Sequence, residues 1–551
     1  MSGNIEAKNI TYLSEREIGE DINIVKEVWL DKNGEYKDNI RIIKNFERPF
    51  WITKPMYRKH NSKKESEFIN KVNMYKSTDS AFIYNIPKAL QDNRYIGIKD
   101  LRRLKKNLYL YGIDVDSRTI LKKKYLKKYP DSSTPYRIGV FDIEVDLLTN
   151  KIIILTLVTK NKIRISLLKS YAKKIPDVKN KIKDGYDRYI PDNPFKNDIK
   201  KDMEIRIYDT EVEMIKWIFK EANYADVDFL TGWNIKYDIG EILERLESAN
   251  INPADIFHYD KIPEKYKFFK FKEAKSKKVT EAGREIPVNP EEQWHTIKST
   301  TNYYFIDAMA SHRYVRVGGK TVPGGYRLDN ILKYEGVAQK LKFDTHEGIK
   351  DAEWHIYMVL NKPLEYIIYN IWDNISILVL DNKTKDLAIS VPLLSGVSHF
   401  DVFNSGPRKL VDALFFFYLE HGRVIGVKDP TEENDKILGL SGWIIALVAS
   451  LVEEFGLKVI QNMPGMLTNI YSFVFDADVA SAYPNATRAA NVSKDTTHRE
   501  LVKIQGFVKD LFMRQNINLT YGSTNSLEYC QTMFNMPNMF ELYKNVVRTS
   551  I

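Results

Sequence analysis

Short, apolar-rich, strand-like runs alternate with polar turns over the first 135 positions, as in Ile24-Val25-Lys26-Glu27-Val28-Trp29-Leu30 ahead of Asp31-Lys32-Asn33-Gly34. A strand-like run that ends in a Gly-containing polar turn is a hairpin pattern, so this region is expected to be β-rich. It closes on a Lys-rich stretch, Lys122-Lys123-Lys124 through Pro135, that reads as solvated surface. From 136 to 385 the pattern changes. Apolar strands around Asp142, over Ile152 to Val158 and around Phe305 are interleaved with helical stretches, among them Ile239 to Leu246 and a helix carrying Tyr369 and Asp373. Strands alternating with helices predict an α/β layer. In the remainder, 386–551, Tyr471 to Phe475 reads as a strand and Trp443 to Val452 as a buried helix. That apolar stretch is broken by Glu453-Glu454 and falls short of the roughly 20 residues needed to cross a bilayer. The expectation is an α/β and α+β multidomain chain, divided as 1–135, 136–385 and 386–551, with no internal repeat.

Chemistry enters where these strands end in acids. Asp142 and Glu144, in Val140-Phe141-Asp142-Ile143-Glu144, are two apart on a strand and therefore share a face. Two carboxylates on one face repel unless cations lie between them, so the pair is a candidate half-cage for Mg²⁺ or Mn²⁺, which prefer hard oxygen ligands. The plainer alternative is an exposed acidic edge. Tyr369 and Asp373, in Tyr369-Asn370-Ile371-Trp372-Asp373, stand at i and i+4 of a helix. Asp478 follows the strand Tyr471 to Phe475 and is a candidate metal ligand at a strand end. Taken alone it could equally terminate a core strand. Asp307, after Tyr303 to Ile306, is a plausible accessory acid or a surface residue.

Set in order, these segments resemble the motifs of family B DNA polymerases, nearest to those of large tailed bacteriophages. Asp478-Val479-Ala480-Ser481-Ala482-Tyr483-Pro484 with Asn491-Val492-Ser493-Lys494-Asp495-Thr496 resembles the first palm motif, with Ala482 in place of the usual Leu. The resemblance makes Asp478 a metal-binding catalytic carboxylate. It makes Ser481 and Tyr483 nucleotide-binding, with Tyr483 excluding a ribose 2′-hydroxyl. Upstream, Asp142 with Glu144, Thr231 through Asp238, and Tyr369 with Asp373 resemble the three motifs of DEDDy proofreading nucleases. Asp142, Glu144, Asp238 and Asp373 then bind two metal ions, and Tyr369 positions the attacking water. The interval from Asn234 to Asp238 is one residue shorter than the commonest form. The implied architecture is a β-rich N-terminal polymerase domain (1–135), a ribonuclease H-like 3′→5′ exonuclease (136–385) and a partial palm (386–551).

The chain carries no copy of the fingers motif Lys-x-x-x-Asn-Ser-x-Tyr-Gly or of the second palm motif Asp-Thr-Asp-Ser. Ser77-Thr78-Asp79-Ser80 imitates the latter but lacks its leading aspartate, and lies upstream of the nuclease. The resemblance is thus to the front half of a polymerase, split or truncated. It implies primer-template and single-stranded DNA, deoxynucleoside triphosphates and a second polypeptide with fingers, remaining palm and thumb as partners. A sliding clamp is a further candidate. A stand-alone exonuclease with a relic palm, or a non-catalytic primer-template scaffold, are the alternatives.

Bulk composition adds less. A net charge of +10, from 83 basic and 73 acidic residues, favours a polyanionic partner, and 43% hydrophobic content argues against disorder. Lys267, Lys270, Lys272 and Lys275 interleave with Tyr266, Phe268, Phe269 and Phe271, a combination that can neutralise a DNA backbone and stack on bases. The alternative is an amphipathic strand whose lysines face solvent and whose aromatics are core. One cysteine, Cys530, forms no internal disulfide, and the amino terminus has no signal-peptide core. The expected setting is a reducing compartment, the cytoplasm of an infected bacterial host under the phage resemblance, without membrane attachment.

Overall fold

Within a computed structural model, the described residues are 5–427 except 61–62, 96, 99, 133, 280–283, 318–321 and 344–351, together with the strand segments 459–462, 469–471, 497–499 and 547–549. Asp478, Ser481 and Tyr483 lie outside them, as does the apolar stretch Trp443 to Val452. The chain divides into two units. One comprises residues 1–52, 72–101 and 112–424, the other 53–71, 102–111 and 425–551.

In the larger unit, Glu6–Leu13, Ile22–Leu30 and Tyr36–Lys44 form an antiparallel meander in sequence order. The expected hairpin is present. Asp31 Oδ1 accepts from the N–H groups of Asn33 and Glu35, both at 2.9 Å, and Gly34 takes φ +78°, which its lack of a Cβ allows. The middle strand is buried on both faces over Ile22 to Val28. Its polar residues have been given partners: Lys26 Nζ lies 2.9 Å from Asp228 and donates to the Val227 carbonyl at 2.6 Å. Tyr36 donates to the same Asp228 carboxylate, as does the backbone N–H of Arg137 at 3.0 Å. The meander is thereby joined to the segments around Arg137 and Asp228 through buried, satisfied charges.

The Lys-rich stretch from Lys122 is mostly exposed as expected, at Lys124, Lys127 and Lys128, but it begins inside a helix and its first lysine is covered. Ser117–Lys128 is a helix, and the Asp116 side chain caps it by accepting from Thr119 N–H. Ser117, Thr119, Ile120 and Leu121 are buried, and Lys122 Nζ stands 5.1 Å from the Phe400 ring centre, where burial pushes its pKa down to about 8. A lysine stem is apolar enough to cover such a ring, which composition alone does not register.

Six strands form the second sheet, in the order Met203–Tyr208, Ile163–Leu168, Lys151–Val158, Ile138–Asp146, Phe229–Gly232, Tyr304–Asp307. Lys151–Val158 runs antiparallel to both neighbours, and the other pairings are parallel. Ile138–Asp146 is central and buried on both faces, with Asp142 its most open residue. Strand alternation assigns the helices to faces. Asn370 of helix Pro363–Thr384 bonds Asp142, while Phe219 of helix Glu211–Tyr224 packs 5.6 Å from Phe141, so the two helices cover opposite sides.

In the smaller unit, Gly426 N–H donates to the Glu65 carbonyl at 2.6 Å, and Lys63 Nζ to the Val427 carbonyl at 2.9 Å. Val459–Asn462 pairs antiparallel with Asn469–Tyr471, and Thr497–Arg499 with Val547–Thr549. Among the described residues no helix is long and apolar enough to cross a membrane.

Candidate active site

Asp142 and Glu144 leave the central strand on the face covered by helix Pro363–Thr384, whose buried residues at this level include Tyr366, Asn370 and Asp373. Asn370 Nδ2 donates to Asp142 Oδ2 at 2.7 Å and reaches Glu144 Oε1 at 3.5 Å. Its own carbonyl oxygen accepts from the Thr156 hydroxyl at 2.7 Å, on the residue paired with Asp142 across the sheet. Tyr366, one turn before Asn370, donates its hydroxyl to Glu144 Oε2. Both acids are therefore oriented by one helix.

Asp238 arrives from the strand Phe229–Gly232. The helix expected from Ile239 begins a turn earlier, at Ile235, because Asn234 adopts the left-handed conformation at φ +71° and turns the chain directly into it. Asp307 holds that entry: its carboxylate accepts from Ile235 N–H at 2.9 Å and Ala310 N–H at 3.0 Å. Burial still lifts its pKa to about 6 against these donors. Asp307 is thus 3% exposed and braces two helix starts, and it is not a surface acid. Gly232 leaves room for the Asp238 side chain, since a Cβ there would stand 2.9 Å from Asp238 Oδ2 and 3.2 Å from the Phe141 carbonyl.

Asp373 and Tyr369 project from the same long helix toward Lys340, which donates to Asp373 Oδ2 at 2.5 Å and Tyr369 Oη at 2.7 Å. Burial opposes the charged lysine, but Asp373 and Tyr369 together hold its ammonium above the usual range. The four acids feel one another. Burial raises Asp142 well above the carboxylate norm, and the charges of Asp238, Glu144 and Asp373 push it further. Asp238 is raised by burial and then by Asp307 and Glu144. Burial lifts Glu144 to about 7 and also raises Asp373.

Such a cluster is costly while its charges are unopposed. Asp238 Oδ2 and Asp373 Oδ1 are buried with no hydrogen-bond partner among the described residues. Among those residues no three acidic, histidine or cysteine side chains stand close enough together, as they lie, to hold a metal ion. An all-oxygen donor set, mutually repelling and with two orphaned oxygens, nonetheless fits hard divalent cations.

Lys340, Tyr366 and Asn370 were not foreseen from sequence. Tyr366, Asn370 and Asp373 recur at helical spacing as polar positions on an apolar helix, a signal open to reading. Lys340 carries no such signal, lying 33 residues before the aspartate it pairs with.

The Lys-aromatic segment is a strand at Phe269–Lys272, paired with Thr296–Ser299. Phe269 stacks on Phe257 with ring centres 4.6 Å apart, and Phe271 packs against the core, while Lys270, Lys272 and Lys275 face solvent. Lys267 pairs with Glu264 and, at 3.2 Å, with Asp255. Asp79, in the segment imitating the second palm motif, is tied to Arg48 and accepts from Ser117 N–H at 3.0 Å.

Residues 93–289 match the family model for DNA polymerase family B, exonuclease domain. The match contains Asp142, Glu144 and Asp238 and ends before Tyr369 and Asp373. It supports a 3′→5′ exonuclease of the proofreading kind acting on DNA, and exonuclease domains of this family use divalent metal ions. No curated protein matches the chain.

Proposed function

We propose that the chain is the amino-terminal portion of a family B DNA polymerase whose ribonuclease H-like DEDDy site removes nucleotides from 3′ ends during viral DNA replication. The observation that carries this reading is the pair Asp142 and Glu144 on the central strand, both held by Asn370 and the second also by Tyr366, with Asp238 and Asp373 near enough for their charges to act on Asp142. Further support comes from the strand order, in which a single antiparallel strand lies between the carboxylate strand and two further strands parallel to each other.

These four residues would hold two Mg²⁺ or Mn²⁺ ions, which supply charge neutralisation and a Lewis-acidic grip on the scissile phosphate. Tyr369 directs its hydroxyl to orient the attacking water, while Lys340 steadies that hydroxyl and Asp373. Asn370 keeps Asp142 and Glu144 turned toward each other. Water adds to phosphorus, the bond to the 3′-oxygen breaks, and that oxygen takes up a proton as the terminal nucleotide leaves with a 5′-phosphate. Asp478, Ser481 and Tyr483 are proposed to start a palm that needs fingers and a second palm carboxylate from another polypeptide before primers are extended. The lysines Lys267, Lys270, Lys272 and Lys275 are proposed DNA contacts by charge.

Residues 1–551 should degrade single-stranded DNA from the 3′ end with Mg²⁺ or Mn²⁺, and the double substitution Asp142→Ala/Glu144→Ala should abolish this. Wild-type rates from the double variant under the same metal titration would overturn the assignment.

A further inference from the structure

Glu144 is held by a relay that begins outside the acidic cluster. The Tyr366 side chain is fully buried, and its hydroxyl has a single proton, which it donates to Glu144 Oε2. The Tyr366 oxygen is then an acceptor, and the group facing it, at 2.7 Å, is His355 Nδ1. His355 therefore presents Nδ1–H to the phenol, whatever the state of its other ring nitrogen. It belongs to a separate helix, Ala352–Asn361, and is fixed edge-on against Trp354, with ring centres 5.0 Å apart at 88°. His355 Nδ1 is also 3.8 Å from Glu144 Oε2, within ion-pair range but beyond hydrogen-bonding distance, so its hydrogen-bonded route to the acid runs through Tyr366.

A buried tyrosine hydroxyl needs one partner, and a backbone carbonyl would serve for stability alone. Here the partner is Glu144 Oε2, the oxygen that Asn370 does not reach. Asn370 Nδ2 reaches both Glu144 Oε1 and Asp142 Oδ2, so Oε1 is the oxygen shared with the neighbouring acid. Pinning Oε2 fixes which oxygen is offered there. Resting on the exonuclease reading above, we infer that Tyr366, gripped by His355, is a positioning residue that aims Glu144 Oε1 at the divalent cation.

Outer-shell partners of a metal-holding carboxylate typically cost about 10- to 100-fold in metal affinity or activity when removed. Tyr366→Phe keeps the ring and should raise the Mg²⁺ half-saturation by about tenfold and lower kcat, leaving KM for single-stranded DNA within about twofold. His355→Ala should shift the same two quantities by less. Measured above the range in which His355 is protonated, the loss on combining it with Tyr366→Phe should be well short of additive, because the neutral imidazole hydrogen-bonds to Tyr366 and not to Glu144.

The experiment is steady-state hydrolysis of 3′-labelled single-stranded DNA by residues 1–551 and the three variants across a Mg²⁺ titration, with calorimetric Mg²⁺ affinity measured in the absence of DNA; an unchanged affinity in Tyr366→Phe overturns the relay, and an affinity weakened about tenfold supports it. Wild-type metal half-saturation and kcat in Tyr366→Phe, or additive losses in the double variant, overturn the relay while the exonuclease reading stands. A change confined to KM also overturns it, since it assigns the pair to DNA contact. A wild-type chain with no 3′→5′ nuclease at any metal concentration overturns the exonuclease reading itself. Should Tyr366→Phe fail to fold, His355→Ala decides alone: an unchanged Mg²⁺ half-saturation refutes the relay.

Discussion

Replacing Glu144 with Gln should make the metal-free protein more stable in alkaline solution, although it removes a residue from the candidate active site. Glu144 is 7% exposed, and burial, only partly offset by the Tyr366 hydrogen bond, lifts its pKa from 4.5 to about 7. An acid whose folded pKa is raised binds its proton more tightly when folded. The stability it contributes is complete below the unfolded value and lost as pH climbs through the folded one. The interval between 4.5 and about 7 is worth ~3 kcal/mol once the folded carboxylate ionises, at about 1.4 kcal/mol per pH unit. Glu144→Gln removes that penalty, and it also relieves Asp142 and Asp238, both of which are pushed up by the Glu144 charge. Thermal unfolding in EDTA should therefore show the variant gaining on wild type by roughly 5 °C between about pH 5 and about pH 8.5. Saturating Mg²⁺ should reverse the order at the higher pH, because cation binding stabilises the wild type through the acids it neutralises. A variant less stable than wild type at both pH values in EDTA, by a margin that does not move with pH, would refute the reasoning.

Tyr369→Phe removes the hydroxyl bonded to Lys340 while keeping the ring, so kcat should fall with calorimetric metal affinity nearly unchanged. Loss of metal binding with the fold intact would instead make this tyrosine structural. Gly232→Ala places a methyl 2.9 Å from Asp238 Oδ2 with a backbone carbonyl behind it, and should cost about 1–3 kcal/mol of stability together with most nuclease activity. Retained wild-type rates would show that Asp238 is free to move aside. Changing Lys270, Lys272 and Lys275 to Ser should make the logarithmic salt slope of single-stranded DNA binding shallower by about 2, at about 0.7 per phosphate contact. An unchanged slope would return these lysines to plain solvation. Asp478→Ala should spare the nuclease and abolish templated synthesis when the chain is combined with a polypeptide carrying the fingers and remaining palm. Primer extension by residues 1–551 alone would contradict the proposed dependence on that partner.

What the sequence by itself determined were features carried by short-range periodicity. The hairpin around Asp31 and Gly34, the strand pairing Asp142 with Glu144 on one face, and the helix spacing of Tyr369 and Asp373 follow from side-chain direction in strands and helices. Motif order placed Asp238 with them, and its carboxylate lies within the same electrostatic cluster. Tertiary structure alone decided what surrounds those acids. Lys340 meets Asp373 from a different element, and His355 and Tyr366 meet Glu144 from two helices. Asp307, read from sequence as an accessory or surface acid, spends its oxygens on backbone N–H groups of two helix starts. Lys122, in a run that looked solvated, is folded over Phe400. A local pattern states which way a side chain leaves the backbone. Its partner, and therefore its charge state and its role, is set by which distant element packs against that side, and that choice is made by burial summed over the whole unit.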